Sequence, residues 1–277
     1  MSDLKTTPIA AKLRASILQQ AIEGKLVPQD PNDEPASKLI ERIRKERAEL
    51  IKQKKAKTPK GGESIIWKDS NGSWWERRGK SEAVCIDDEI PFDIPENWTW
   101  ARVCSLGTLE RGAGIKRSEV VAEGEPCVRY GELYTTYRDE IVEPSSFTSE
   151  TVYMAAHKLE HDELLITLTG ENDIDIGKTV VNSFGRTVAY GGDLLALKNH
   201  LQNGHFLMRL FNSPYVGKQR TSASTGNTIV HLSAEKISRF LVPVPPLAEQ
   251  SRIVKKIDAA MKLTDQLGIL ERERAML

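Results

Sequence analysis

The chain has 277 residues, with 39 Lys/Arg balanced by 39 Asp/Glu, so net charge steers it toward neither nucleic acid nor membrane. Hydrophobic residues at 39% and charged residues at 28% are those of a globular protein, large enough for one large domain or two modest ones. The separated Cys85, Cys104 and Cys127, with no CxxC pair, argue against a disulfide framework or a zinc site and point to a reducing compartment.

The opening "MSDLKTTPIAAKLRASILQQAIEGKLV" is broken by charges too often for a signal peptide. No window approaches the ~18 apolar residues of a membrane span, so a cytoplasmic protein is expected. Ile9, Leu13, Ile17 and Ala21 fall at helical spacing over 9–23, and Gly24 is a stop signal. "VPQDPNDEP" reads as a loop, because its prolines cannot sit inside a helix. With Ser37 as cap, a second helix is expected over 36–57, its face marked by Leu39, Ile40, Ile43, Arg47, Leu50 and Ile51, with a narrow apolar stripe. Residues 36–60 hold ten Lys/Arg against three Asp/Glu. This basic run is either a solvated face or an electrostatic surface for nucleic acid.

"SIIWKDSNGSWWERR" reads as a hairpin turning at Asn71-Gly72. Proline-punctuated "DEIPFDIPENWTW" leads into the next domain, with Trp98 and Trp100 packing at its edge. From 100 to 245, short apolar runs such as "VRYGELYTTY", "ELLITLTG", "KTVVNS" and "RTVAYGGDLLAL" alternate with Gly, Asn and Ser, as strands do. "NGHFLMRLF" is expected to be the one clear helix among them, with "VGKQRTSASTGN" as loop. A long amphipathic helix closes the chain, with Ile253, Ile257, Ala260, Thr264, Leu267 and Leu270 along one seam. Its expected partner is the stripe of helix 36–57, or the same pieces of another chain.

"GENDIDIGKTV" ends in Gly-Lys-Thr and invites a phosphate-loop reading. The first glycine would have to stand at 172, which is Asn172, and Glu171, Asp173 and Asp175 would repel a polyphosphate. The segment is instead expected to be a surface turn flanked by Lys178. His157 and His161 could share a helix face, without a third ligand. No nucleophile–base set is visible.

The ordered set "LRASILQQAIEGKLVPQDPNDEPASKLIERIRKERAELIK", "IPFDIPENW", "DELLITLTGENDIDIGKTV" and "FLVPVPPLAEQSRIVKKID" resembles the specificity subunit of type I restriction-modification systems over nearly the whole chain. The resemblance implies an α/β fold, with one strand-rich target recognition domain flanked by long helices forming an antiparallel coiled-coil-like spacer. It divides the chain into a helical region over 1–60, a hairpin and linker over 61–99, the recognition domain over 100–245, and a spacer or dimerisation helix over 246–277. It implies a non-catalytic subunit that reads half of a bipartite site in double-stranded DNA and docks a methyltransferase subunit, which a restriction subunit joins. S-adenosylmethionine, ATP and magnesium would belong to those partners, with no cofactor in this chain. Members usually carry two recognition domains, so a half-subunit is expected, natural or truncated, pairing with itself or with a different half. The alternative is a docking module or fragment that does not read DNA.

Residues 101–245 carry 15 Lys/Arg and 17 Asp/Glu, so readout must come from placed side chains rather than bulk charge. Three segments offer them. "RGAGIKRS" joins Arg111, Lys116 and Arg117 to a Gly112/Gly114 turn whose amides could meet a phosphate; "VGKQRTSASTGN" supplies Lys218, Gln219, Arg220, Thr221 and Thr225; Thr169, Glu171 and Lys178 form a third cluster. Arg129 and Tyr130 are expected at a core edge, within a strand. The expected subunit or dimer interface is Leu39, Ile43, Leu50, Ile253, Ile257, Ala260, Thr264 and Leu267.

Overall fold

The computed structural model describes residues 8–113, 115–172, 175–226 and 229–275. Helix α1 spans Ile9–Ile22, and the chain then turns at Gly24, whose φ is +70°. A side chain there would meet both a left-handed backbone and the Pro95 ring, with Cδ 2.6 Å from the added Cβ. Gly24→Ala is expected to cost about 1–3 kcal/mol of stability. An unchanged denaturant midpoint would refute this account of the turn.

Helix α2 spans Ala36–Lys52, ending short of the expected residue 57 because Lys54 adopts a φ of 60°. Pro35 precedes its first turn, and Ser37 lies inside the helix rather than capping it. Leu39, Ile40 and Ile43 are buried in the main core, α2 packing on the 103–105 turn. On the outer side Lys38, Arg42 and Lys52 pair with Glu41, Glu34 and Glu49, the solvated face of the basic run.

Strands β1 (Ser64–Lys68) and β2 (Trp74–Arg78) form the hairpin about Asn71-Gly72, and β3 (Val84–Cys85) adds a third antiparallel strand. Trp98 is buried and donates its indole N–H to Glu249 at 2.9 Å, while Trp100 packs against Phe92 and Tyr215.

The strand-rich region then runs β4 (Thr99–Arg102), β5 (Thr108–Arg111), β6 (Val120–Val121), β7 (Glu125–Val128), α3 (Glu132–Thr135), β8 (Glu140–Ile141), β9 (Ser146–Thr148), α4 (Glu150–Ala155), β10 (Lys158–Leu159), β11 (Leu164–Thr167), β12 (Thr169–Gly170), β13 (Thr179–Asn182), β14 (Val188–Tyr190) and β15 (Leu194–Lys198). Helices α5 (Gly204–Phe211) and α6 (Pro214–Ala223), strand β16 (Val230–His231), α7 (Ala234–Ser238), β17 (Leu241–Val244) and α8 (Leu247–Ala275) complete it. So "NGHFLMRLF" is not the one helix of this region. The stretch expected to be loop folds as α6, with Ser213 accepting the Val216 N–H as cap and Pro214 opening the first turn.

Two five-stranded sheets, β5-β15-β11-β13-β8 and β10-β14-β7-β9-β6, enclose one buried cluster that includes Leu165, Val180, Ala196, Val128, Val188 and Tyr190. The opposite face of the first sheet, Leu164, Ile166, Val181 and Leu197, joins Phe206 and Leu210 of α5, Leu39 and Ile43 of α2, and Ile253 and Ile257 of α8. Burial on both faces is why Leu164, Leu165 and Ile166 are apolar in succession rather than alternating with polar residues.

Helix α8 runs antiparallel to α1, not alongside α2. Arg14 donates to Thr264 at 3.2 Å, and Gly268 faces Ala10 across the pair. Pro8 cannot cap α1, and the Glu271 carboxylate does so instead, accepting the N–H groups of Ile9 and Ala10 at 2.7 and 3.2 Å. The antiparallel helical pair is therefore present, with α1 in place of α2. Among the described residues, no helix is long and apolar enough to cross a membrane.

Candidate nucleic-acid interface

Parallel pairing of β7 with β14 brings two turns together: Gly191 donates its N–H to Val128 O at 3.0 Å, just where both strands end. The chain beyond β7, Arg129-Tyr130-Gly131, therefore faces Gly191-Gly192-Asp193. With Ile115 and Arg117 closing the third side, they line a cleft of about 520 Å³. Arg117 and Tyr130 are exposed. Arg129 is held by the buried Glu132, its Nε lying 3.4 Å from the carboxylate, and Glu132 also accepts from Ser146. A guanidinium anchored from below, a second one exposed, and an aromatic ring at the rim can together meet phosphates, base edges and a base face.

Arg111 sits beside this cleft, donating to Gly192 O at 2.8 Å, and Lys116 is exposed at its edge. Gly112 serves packing rather than phosphate approach. Its N–H is given to Leu194 O at 2.9 Å, and an added Cβ would collide with Gly191 O. Gly114 and Asp173 lie outside the described residues.

Helix α3 connects the cleft to the third predicted cluster. Tyr134 shares a 2.7 Å hydrogen bond with the Thr167 hydroxyl and donates to Thr169 O at 3.0 Å. Strand β12 pairs with β16, setting Thr169 opposite His231, which Thr225 bridges from the other side. Thr169, Glu171, Thr225 and His231 form a polar patch, with Thr221 exposed on the last turn of α6.

Several expected contacts are structural instead. Gln219 donates to Leu241 O and accepts from Leu241 N, both at 2.9 Å, so both ends of its amide are engaged with the backbone. Arg220 is buried at 8% exposure, because α6 turns it beneath the 175–178 turn. Lys178 donates to Tyr137 O at 2.9 Å, and the buried Ile176 makes this more than a surface turn. Lys218 alone of the three polar residues 218–220 is exposed.

Arg129 and Tyr130 depart from expectation in the opposite sense. Strand β7 stops at Val128, which leaves Tyr130 42% exposed in the cleft. A charged and an aromatic residue before a glycine, directly after an apolar run, was the available signal.

A larger open cleft, about 980 Å³, lies between the hairpin and the α6–α7 region. Four of its cations are paired, Arg78 and Arg102 with Glu76, Arg239 and Lys60 with Glu235, while Lys236 donates to Ala223 O at 2.6 Å. Its cations are bonded within the chain, and Arg102 also pairs with Glu89. His157 and His161 flank β10 instead of sharing a helix face, and each ring is placed for a hydrogen bond with a backbone carbonyl. No group of three or more His, Cys, Asp or Glu able to hold a metal occurs among the described residues. Burial pushes the Cys127 thiol up to about 11 and raises that of Cys104, which leaves both as poor nucleophiles.

The expected interface residues are largely enclosed. Leu39, Ile43, Ile253, Ile257 and Thr264 are buried within this chain, and Leu50, Ala260 and Leu267 are partly buried. The exposed large apolar residues of the helical pair are Ile9 and Leu13 on α1 and Leu263, Ile269 and Leu270 towards the end of α8, with Leu247 exposed at its start.

Residues 95–271 match the family model for the type I restriction modification DNA specificity domain. The chain is 26% identical over 268 residues to the type I restriction enzyme EcoAI specificity subunit of Escherichia coli, covering 92% of this chain and 40% of that protein. It is 28% identical over 274 residues to the EcoEI specificity subunit of the same species, again covering 92% and 40%. Among solved structures, the HsdS subunit from Thermoanaerobacter tengcongensis aligns over 65% of this chain and 41% of its own, at 20% identity and a TM-score of 0.48. The chain thus spans about 40% of the length of the curated relatives it matches.

Proposed function

Because the chain belongs to the family of type I restriction-modification DNA specificity domains, we propose that it reads one half of a bipartite site in duplex DNA through the cleft of Arg117, Arg129 and Tyr130. The observation that carries this reading is the convergence of two guanidinium groups and an exposed tyrosine where β7 and β14 end together. The Thr169–His231 patch extends the same face through Tyr134.

In this reading the chain supplies recognition and no catalysis. A methyltransferase subunit docks on the helical pair, and a restriction subunit joins the assembly. Those partners hold S-adenosylmethionine, ATP and magnesium. Self-pairing would use the exposed Ile9, Leu13, Leu263, Ile269 and Leu270, since the deeper seam is filled within the chain. A two-fold pair would then require an inverted repeat.

Selection of bound duplexes from a random pool, with the chain and its methyltransferase subunit at moderate salt, tests the proposal. An enriched inverted repeat with a fixed spacer supports reading by a self-paired chain. A single or asymmetric motif supports reading by one domain or a mixed pair. Failure to enrich any motif while the protein complex stays intact would leave only docking. Lys116 stands at the cleft edge as a phosphate contact. Lys116→Ala should weaken binding evenly across sequences and lower the salt slope by about 1. A changed motif with an unchanged slope would count against that role.

A further inference from the structure

A separate cleft of about 260 Å³ opens where the helical pair meets the recognition domain. Arg14, Arg138, Lys178, Arg209 and Arg220 line it, with Asp139 and Asp175. Arg14 and Arg138 share Asp265, and Arg209 pairs with Asp139 at 2.8 Å and Asp258 at 3.2 Å. Lys178 has a neutral carbonyl as its hydrogen-bond acceptor. Arg220 forms no ion pair among the described residues, and even with Asp258 and Asp265 counted, five cations meet four carboxylates.

Among the described residues, four side-chain polar atoms are buried without a hydrogen-bond partner. Two of the four, Arg209 Nε and Arg220 Nε, belong to residues lining this cleft, so its unmet donors are concentrated rather than scattered. Arg220 is more than nine-tenths buried. Its stem is clamped by the turn above it, where a Cβ on Gly177 would stand 2.7 Å from Arg220 Cδ. A guanidinium desolvated and fixed in this way, with Asp175 in the same cleft but not ion-paired to it, is unfavourable unless something else supplies further negative charge.

We propose that this cleft is an anion site that takes a phosphate group, with Arg220 as its central donor and Arg209 and Lys178 beside it. The donors approach from α5, from α6 and from the end of the 175–178 turn. That spread suits the several oxygens of a tetrahedral anion better than the two of a carboxylate, and a guanidinium fork grips phosphate with two parallel bonds. The phosphate can be a backbone phosphodiester, in which case the inference rests on the DNA reading above, or free inorganic phosphate.

The test is calorimetric titration of the full chain with inorganic phosphate, and separately with the selected duplex, for wild type and Arg220→Met. With free phosphate as ligand, wild type binds it saturably, Arg220→Met loses at least tenfold, and duplex affinity is the same in both. With DNA as the source, the variant loses at least tenfold on the duplex, whether or not free phosphate binds. Methionine keeps the volume and removes the unpaired charge, so the variant should be at least as stable as wild type in chloride. Should it fail to fold, Lys178→Met read against the same two ligands takes its place. Equal duplex affinity in wild type and variant, with phosphate binding absent or unaffected by the substitution, overturns the site. The DNA reading would survive that outcome if selection still enriches a motif.

Discussion

Replacing Arg117 and Tyr130 together by alanine is expected to lower affinity for the selected duplex about thirtyfold or more, each side chain contributing roughly 1–3 kcal/mol. Both side chains are exposed and pack into no core cluster, so the folded state should lose within about 0.5 kcal/mol. The two line the same cleft, so a double-mutant cycle should show coupling rather than simple addition. The decisive readout is the motif. Arg117→Ala should relax preference at one position if the guanidinium reads a base, and should leave the motif unchanged if it holds a phosphate. Unchanged affinity and motif in the double variant would remove the cleft as the reading surface and shift attention to the Thr169–His231 patch.

Much of the scaffold was legible because its signals are local. The Asn71-Gly72 hairpin, the stop at Gly24 and the apolar run of β11 each follow from backbone conformation or two-sided burial. The side chains that line the candidate interface were less legible, since facing is settled by tertiary packing. Residues 218–220 form one polar string, yet α6 exposes Lys218, spends Gln219 on the Leu241 backbone and buries Arg220. Ser213 and Pro214 announced that helix, but no periodic apolar stripe marks which side of it turns inward. Tyr130 was misplaced by a strand boundary, and one or two residues are enough to move a side chain from core edge to cleft. The partner of α8 could not be chosen from stripes, because α1 and α2 both offer one.

The choice between those two helices turns on Arg47, and the largest single loss of stability is expected there. Arg47 belongs to the basic run, yet it is 2% exposed. Its guanidinium pairs with Glu63 and donates to the carbonyls of Cys104 and Gly107, the latter at 2.9 Å. Those contacts fasten α2 to the 103–107 segment and leave α8 to α1. Gly107 packs closely there, with no room for a side chain against Lys198 O. Arg47→Ala strands Glu63 and two buried acceptors and is expected to cost about 3–5 kcal/mol. Arg47→Lys should recover only part of this, since one ammonium cannot reproduce the fork. Denaturant midpoints check both. Below the transition, duplex affinity per folded molecule should change little in either variant, because Arg47 lies in the core and the reading cleft beyond the far end of β5. A midpoint that does not move, with affinity lost, would reverse this assignment and make Arg47 part of the electrostatic surface that its place in the basic run suggests.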